Sequence, residues 1–166
     1  TCVGTLKELS KIAEAEGIMI VLEPLNILVN HMGYYLVTTE QAVAMIKAVD
    51  SPNCKILFDI YHQQISEGNV IRNIQNNIDL IGHFHIGEAN RKVPGRGHMP
   101  WDDVVQGLKD AGYTGRIVME PFIKMGGAVG RDIKVWHDLS DNGDEAYMDK
   151  EASFALNFMR GKLSER

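Results

Sequence analysis

Four side chains that can bind a divalent metal ion each lie at or near the end of a short apolar run. The runs are IMIVLE with Glu23, KILFDI with Asp59, LIGHFH with His85 and RIVME with Glu120. Three carboxylates and one imidazole form a mostly oxygen donor set, which suits Mn²⁺ or Mg²⁺, with Co²⁺ as a further candidate, more than Zn²⁺. A single carboxylate at such a position is more often a helix cap or an ion-pair partner. Four of them on successive runs predict one metal site if the runs are neighbouring strands.

The apolar runs alternate with amphipathic segments, a pattern typical of parallel βαβ units. Strands are predicted over 18–23, 55–60, 80–85 and 116–120, and helices over 5–16, 39–49, 69–77, 100–111 and 144–162. Two of the strands end alike, in MIVLEP and RIVMEP. We therefore predict one α/β domain over 1–166, made of four consecutive βα units and a C-terminal helix. This is the C-terminal half of a (β/α)₈ TIM barrel, in which the carboxyl ends of the strands share one mouth.

A flavodoxin-like open sheet is the competing fold, although no glycine-rich phosphate turn follows the first strand. Four strands cannot close a barrel, since about eight are needed to make an interior that side chains fill. The half-barrel interpretation therefore predicts either an N-terminal half of four further units or association into a homo-oligomer.

Composition narrows the function classes. The net charge of -5 and the pI near 5.6 argue against a nucleic-acid partner, which normally requires a basic face. No run of about 20 apolar residues is present, so we expect no membrane span. Cys2 and Cys54 are too few for a disulfide framework and favour a reducing cytoplasm.

Several histidines and one arginine lie near the predicted strand ends. His62 follows Asp59 by three residues and Arg91 follows His85 by six, which puts both in loops over the same mouth. His83 is interpreted as a structural residue on the opposite face of its strand from His85. The sequence assigns no catalytic role to three other histidines: His31, His98 and His137.

Longer motifs resemble known enzymes. GHFHIGEANRKVPGRGHMPW (82–101), IVMEPF (117–122) and GGAVGRDIKVWHDL (126–139) resemble the ketose 3-epimerases that act on tagatose and psicose. EPLNILVNHMGYYL (23–36) and FDIYHQQISEGN (58–69) are more similar to hydroxypyruvate isomerase. Both groups belong to the xylose-isomerase-like TIM-barrel superfamily, and the resemblance covers nearly the whole chain.

The resemblance implies an isomerase that moves a proton next to a carbonyl through an enediolate, acting on a small sugar or hydroxy-keto acid. It implies that Glu23, Asp59, His85 and Glu120 bind the metal and that Glu23 and Glu120 are also the acid/base pair. It further implies that His62, Glu88 and Arg91 contact substrate or support the site. Ile27 and Val29 depart from the arginine and the sugar-contacting glutamate of the ketose 3-epimerases. Two alternatives remain: a metal-dependent apurinic endonuclease-like phosphodiesterase, and a non-catalytic half-barrel that is inactive alone.

Overall fold

The computed structural model describes residues 1–124, 126–135 and 137–164. Trp136, within the 126–139 motif, lies outside the described residues. The strands are β1 (Ile20–Leu22), β2 (Cys54–Asp59), β3 (Ile81–Ile86) and β4 (Ile117–Met119). The helices are α1 (Cys2–Glu16), α2 (Thr39–Val49), α3 (Ile60–Ser66), α4 (Val70–Asn77), α5 (Trp101–Asp110), α6 (Gly127–Asp132) and α7 (Glu145–Ser164), with a 3₁₀ turn at Ile78–Leu80.

The four strands form one parallel sheet in chain order, β1-β2-β3-β4. A flavodoxin-like sheet reverses its strand order at a switch point, and this sheet does not. Sequential order is the order of a (β/α)₈ barrel, as the sequence predicted. The register shifts between Ile56 and Leu57, which pair with Ile81 and His83 and leave Gly82 between them without a partner.

Apolar side chains from one face of the sheet pack against the helices. Phe58 and Phe84 are fully buried and stack with their ring centroids 5.3 Å apart. Ala42 and Ile46 of α2, and Val104 and Leu108 of α5, belong to the same core. The other face carries the polar residues of the strands, among them Asp59, His83 and His85.

Local signals explain where the helices begin and end. The Thr38 side chain accepts a hydrogen bond from the Gln41 amide, and Gln41 reciprocates, so a capping box begins α2 at the predicted residue. Gly17 ends α1 with a φ of 66°, a conformation that glycine adopts without steric cost. Helices α3 and α6 were not predicted, because seven and six residues are too short to show a clear 3.6-residue period.

Both edges of the sheet are open. Among the described residues, β1 and β4 each have a neighbouring strand on one side only. Val118 in the middle of β4 is 40% exposed, and Ile18 and Met19 just before β1 are exposed too. Within the described part of the chain, no helix has the length and hydrophobicity needed to cross a membrane.

Candidate metal centre

The structure brings Glu23, Asp59, His85 and Glu120 together at the carboxyl ends of the four strands. One potential ligand atom from each lies within 4.8 Å of all the others. Two ligands that bind one ion at 2.0–2.6 Å can be separated by up to about 5 Å, so the spacing fits a single shared ion. Binding of that ion stays a prediction.

Strand register explains this convergence. Asp59 and His85 are paired partners on β2 and β3. Glu23 and Glu120 directly follow the last residues of β1 and β4. The same edge of the sheet therefore receives one donor from each of four adjacent strands.

Two of these donors are buried without a hydrogen-bond partner among the described residues. They are Oε1 of Glu23 and Nδ1 of His85. An unpartnered buried polar atom costs about 1–3 kcal/mol, and a group that supplies a bond to it removes that cost. Both atoms face the cluster and are 4.0 Å apart, so a divalent cation between them fits the residues present.

The carboxylates crowd one another in the metal-free protein. Burial, and then the charges of Asp59 and Glu120, raise the pKa of Glu23 to about 7. Burial also raises the pKa of Asp59, although the Tyr61 amide donates to Oδ1 of Asp59 at 2.8 Å and opposes that rise. A bound cation relieves both effects, since it favours the charged form of each ligand.

Glu120 is shifted in the opposite direction. Its Oε2 lies 3.6 Å from Nδ1 of His85, a distance that fits an ion pair rather than a hydrogen bond. Contact with His85 lowers the pKa of Glu120, and contact with Glu120 raises the pKa of His85. The two glutamates thus differ: Glu23 holds a proton more readily, while Glu120 stays ionised.

His62 lies against Asp59 in the same mouth and is 2% exposed. Its Nδ1 accepts a hydrogen bond from the Asn26 amide at 3.1 Å, so the ring proton belongs on Nε2. Nε2 is 4.0 Å from Oδ2 of Asp59 and faces the site. Burial, and then the charge of Arg91, lower the pKa of His62 to about 3.

We expect His62 to remain neutral down to about pH 4 in the folded, metal-free protein. The unfolded chain binds a proton at His62 near pH 6.5 and the folded chain does not. The contribution of His62 to stability is therefore complete above pH 6.5 and decreases as the pH falls toward 3. NMR titration of the His62 ring protons measures this directly, and protonation near pH 6.5 would contradict the geometry.

Arg91 presents its guanidinium between two aromatic rings. The guanidinium carbon is 3.8 Å from the centre of the Tyr61 ring and 4.4 Å from that of Phe122. The backbone of Arg91 has a φ of 65° and is held by hydrogen bonds with Glu88 and Phe122, each 2.9 Å long. The side chain forms no hydrogen bond or ion pair among the described residues, so its donors are available to a ligand.

Glu88 is fully buried and its carboxylate is occupied within the 88–101 loop. It accepts hydrogen bonds from the Gly95 amide at 2.7 Å, the Met99 amide at 3.0 Å and the Trp101 indole at 2.6 Å. Of the two roles that the resemblance implies for Glu88, this geometry fits support of the loop that carries Arg91. Arg96 ties the loop to α7 through a bidentate pair with Glu151.

We expect Gly97→Ala to destabilise the protein by about 1–3 kcal/mol, because the added methyl group overpacks the site. That methyl carbon would lie 2.8 Å from Cδ and 2.9 Å from Cβ of Glu88, whose carboxylate three donors hold in place. Urea unfolding measures the change. Gly161→Ala on α7 is the control: no atom lies within 4 Å of its added methyl, so stability should be unchanged or higher by up to about 1 kcal/mol. Equal effects of the two substitutions would show that Glu88 does not fix the loop.

The predicted face of His83 was wrong, and its structural role stays a prediction. Residues two apart on a strand point to the same face, so His83 shares the face of His85, and their ring centroids are 5.0 Å apart. His98 and His137 are exposed. His31 lies near the site, with its ring centroid 5.2 Å from that of His62.

Three buried polar residues hold the site together and were not singled out from the sequence: Asn26, Asn30 and Tyr61. The side-chain oxygen of Asn26 accepts hydrogen bonds from the Val29 and Asn30 amides. Asn30 donates to the carbonyl of Ile133 and accepts from the Tyr61 hydroxyl at 2.7 Å. The hydrogen-bonded partners lie up to 103 residues apart in sequence, so no local motif predicts these bonds. The one available signal was that Asn26, Asn30 and Tyr61 lie within a few positions of Glu23 or Asp59 in the sequence.

A family model described as Xylose isomerase-like TIM barrel matches residues 1–139. The chain belongs to this family. D-Psicose 3-epimerase of Ruminiclostridium cellulolyticum is 44% identical over 158 residues, which cover 95% of this chain and 53% of that protein. A mouse relative with the provisional name hydroxypyruvate isomerase is 32% identical over 120 residues, or 71% of this chain and 43% of that protein.

A solved relative confirms the fold. The crystal structure of D-psicose 3-epimerase with D-tagatose from Clostridium cellulolyticum H10 superposes with a TM-score of 0.85 at 43% identity. The match covers 97% of this chain and 55% of that structure. The chain therefore spans about half the length of these relatives, and it shares with them the parallel βα units of a TIM barrel.

Proposed function

We propose that this chain carries the metal site and the acid/base pair of a sugar epimerase or isomerase that moves a proton next to a carbonyl. The observation that carries the proposal is the convergence of Glu23, Asp59, His85 and Glu120 within 4.8 Å at one sheet edge. The family and its ketose-epimerase relatives support the reaction class. The substrate is a small ketose or a hydroxy-keto acid.

Glu23, Asp59, His85 and Glu120 would hold one divalent ion, and their oxygen-rich set favours Mn²⁺ or Mg²⁺, with Co²⁺ also suitable. When bound, the ion supplies Lewis-acid polarisation of the carbonyl and of the neighbouring hydroxyl oxygen. His62 offers a neutral Nε2–H donor beside Asp59, and Arg91 offers an unpaired guanidinium. Both suit orientation of substrate oxygens, and Glu88 supports the loop that carries Arg91.

Glu23 and Glu120 are the proposed proton carriers. In the metal-free protein their pKa values are shifted in opposite directions, and contact with His85 favours the ionised form of Glu120, which suits Glu120 as the base. The ionised Glu120 takes the proton from the carbon next to the carbonyl, and an enediolate forms. Return of a proton to the same carbon from the opposite face by Glu23 gives epimerisation, and return at the adjacent carbon gives isomerisation.

The open edges at β1 and β4 support a further proposal about the whole protein. Four more βα units, or a second copy of the chain, would cover the exposed strand face and complete the substrate pocket. A half-barrel alone would then be inactive. The two free thiols, Cys2 and Cys54, are compatible with a reducing cytoplasm.

Two measurements on the full-length protein test the proposed function. The first is metal content after purification and after reconstitution with Mn²⁺. The second is turnover of hydroxypyruvate, tagatose and psicose, with an abasic-site DNA duplex as the alternative substrate. Metal-dependent turnover of any of the three carbonyl substrates supports the proposal, and DNA cleavage or inactivity of the metal-loaded protein overturns it.

A further inference from the structure

His31 lies in the mouth of the candidate site with its ring nitrogens unpartnered among the described residues. Its ring centroid is 5.2 Å from that of His62, whose Nε2 faces Asp59. The charges of Arg91, in the loop after β3, and of Glu120, directly after β4, act on the His31 ring. The ring therefore lies beside His62 and within electrostatic range of the site.

A turn closed by side-chain hydrogen bonds sets the position of the His31 ring. The Asn26 side-chain oxygen accepts from the amides of Val29 at 3.0 Å and Asn30 at 3.2 Å, which closes the turn just before His31. His31 itself has a φ of 48°, a strained conformation for a residue with a side chain, and its carbonyl accepts from the Tyr34 amide at 3.0 Å. The turn and this hydrogen bond together fix the backbone that carries the ring.

The segment around His31 is unusual in its chemistry. Residues 24–37 contain no charged side chain, and three successive apolar residues, Ile27, Leu28 and Val29, precede the Asn30–His31 pair. A long polyhydroxy chain would find few hydrogen-bond partners along this wall, and buried hydroxyls without partners are costly. The donors near this side of the mouth include the His31 imidazole and the Arg91 guanidinium, in addition to Nε2 of His62.

We propose that His31 is a further substrate-contacting residue that, with Arg91, receives the carboxylate of a short hydroxy-keto acid. This rests on the proposed function. A guanidinium binds a carboxylate through two parallel hydrogen bonds, and an imidazole supplies one more donor at a second angle. Residues 24–37 carry no carboxylate, so this wall adds no negative charge to that of Glu23, Asp59 and Glu120 in the mouth.

The test compares His31→Ala and His31→Gln with His98→Ala, a control at an exposed loop histidine, in the metal-loaded full-length protein. Hydroxypyruvate is the anionic probe and psicose is the neutral one. His31→Ala should raise the KM for hydroxypyruvate about tenfold while kcat changes little, the pattern of a lost binding contact. His31→Gln, which keeps a donor, should recover part of that loss, and psicose binding and the His98 variant should be unaffected.

Binding of hydroxypyruvate to His31→Ala, measured by calorimetry with Mn²⁺ present, should weaken by the same factor. This measurement detects the binding contact independently of turnover. Equal losses for hydroxypyruvate and psicose, or no loss for either, would overturn the role of His31. If the unmutated protein turns over none of hydroxypyruvate, psicose and tagatose, the proposed function fails instead. If it turns over psicose alone, the proposed function stands and the hydroxy-keto acid assignment is wrong.

Discussion

Glu120→Gln is expected to reduce proton transfer at the carbon next to the substrate carbonyl by about 10³-fold, within the range that positioned acid–base groups contribute. Glutamine has nearly the shape of glutamate and can still offer an oxygen to a metal ion, but it cannot take up a proton. Since contact with His85 keeps Glu120 ionised, this residue is the stronger candidate for the base. The fold should be retained, because Glu120 is half-buried at the end of an edge strand.

The measurement is exchange of the substrate's carbon-bound hydrogen with deuterated water, followed by NMR at saturating Mn²⁺. Saturation matters because loss of one negative ligand also weakens metal affinity. Glu40→Gln on α2, an exposed position away from the site, is the matched control and should exchange at the unmutated rate. Substantial exchange by Glu120→Gln with metal bound would show that the two-glutamate mechanism is wrong.

The sequence predicted the framework of the site well because its signals are local. An apolar run between amphipathic segments defines a buried parallel strand, and the residue that ends it takes its place at the sheet edge. Asp59 illustrates this: the end of KILFDI predicted both its strand and its neighbours Glu23 and His85 at the same edge. The register shift opposite Gly82 was not predictable. A methyl group added at Gly82 would lie 2.9 Å from Cβ of Lys55, so β3 approaches β2 closely there, and such an approach leaves no local pattern in sequence.

What the sequence did not reveal is how the loops are tied together. Glu88 was assigned by resemblance alone, and its three donors from Gly95, Met99 and Trp101 emerge only when the loop folds back on itself. His62 owes its depressed pKa to burial and to Arg91, which lies 29 positions further along the chain. Such contacts are fixed by tertiary packing, which leaves no periodic trace in sequence.

Burial and mutual repulsion of the carboxylates make the stability of the metal-free protein depend on pH. Glu23 has a pKa of about 7 when folded and 4.5 as the reference value, so the unfolded state loses this proton first as the pH rises. Stability is therefore lost between about pH 4.5 and 7, and Asp59, whose pKa is also raised, acts in the same direction. Metal binding should reverse this loss, since it stabilises the charged ligands in the folded state alone.

Asp59→Asn should consequently have two opposite effects: higher stability without metal and much weaker metal binding. Asparagine keeps the side-chain oxygen that accepts from the Tyr61 amide and caps α3, so the substitution removes mainly the buried charge. We expect the melting temperature of the metal-free full-length protein to rise by a few degrees at pH 8. The gain should shrink as the pH falls, because the raised pKa of Asp59 lets its carboxyl group take up a proton in the folded state. Affinity for Mn²⁺ should fall at least about 100-fold, the loss expected when a direct ligand is weakened.

Calorimetric scans at pH 4 and pH 8, with and without Mn²⁺, measure both effects on one protein. Asp149→Asn is the matched control, because Asp149 is an exposed aspartate within α7 and should change neither quantity appreciably. A variant that loses stability at pH 8 without metal would show that attractive partners of Asp59 outweigh the cost of burying its charge. Unchanged Mn²⁺ affinity would remove Asp59 from the ligand set, and the shared-ion geometry of the four strand ends would then be wrong.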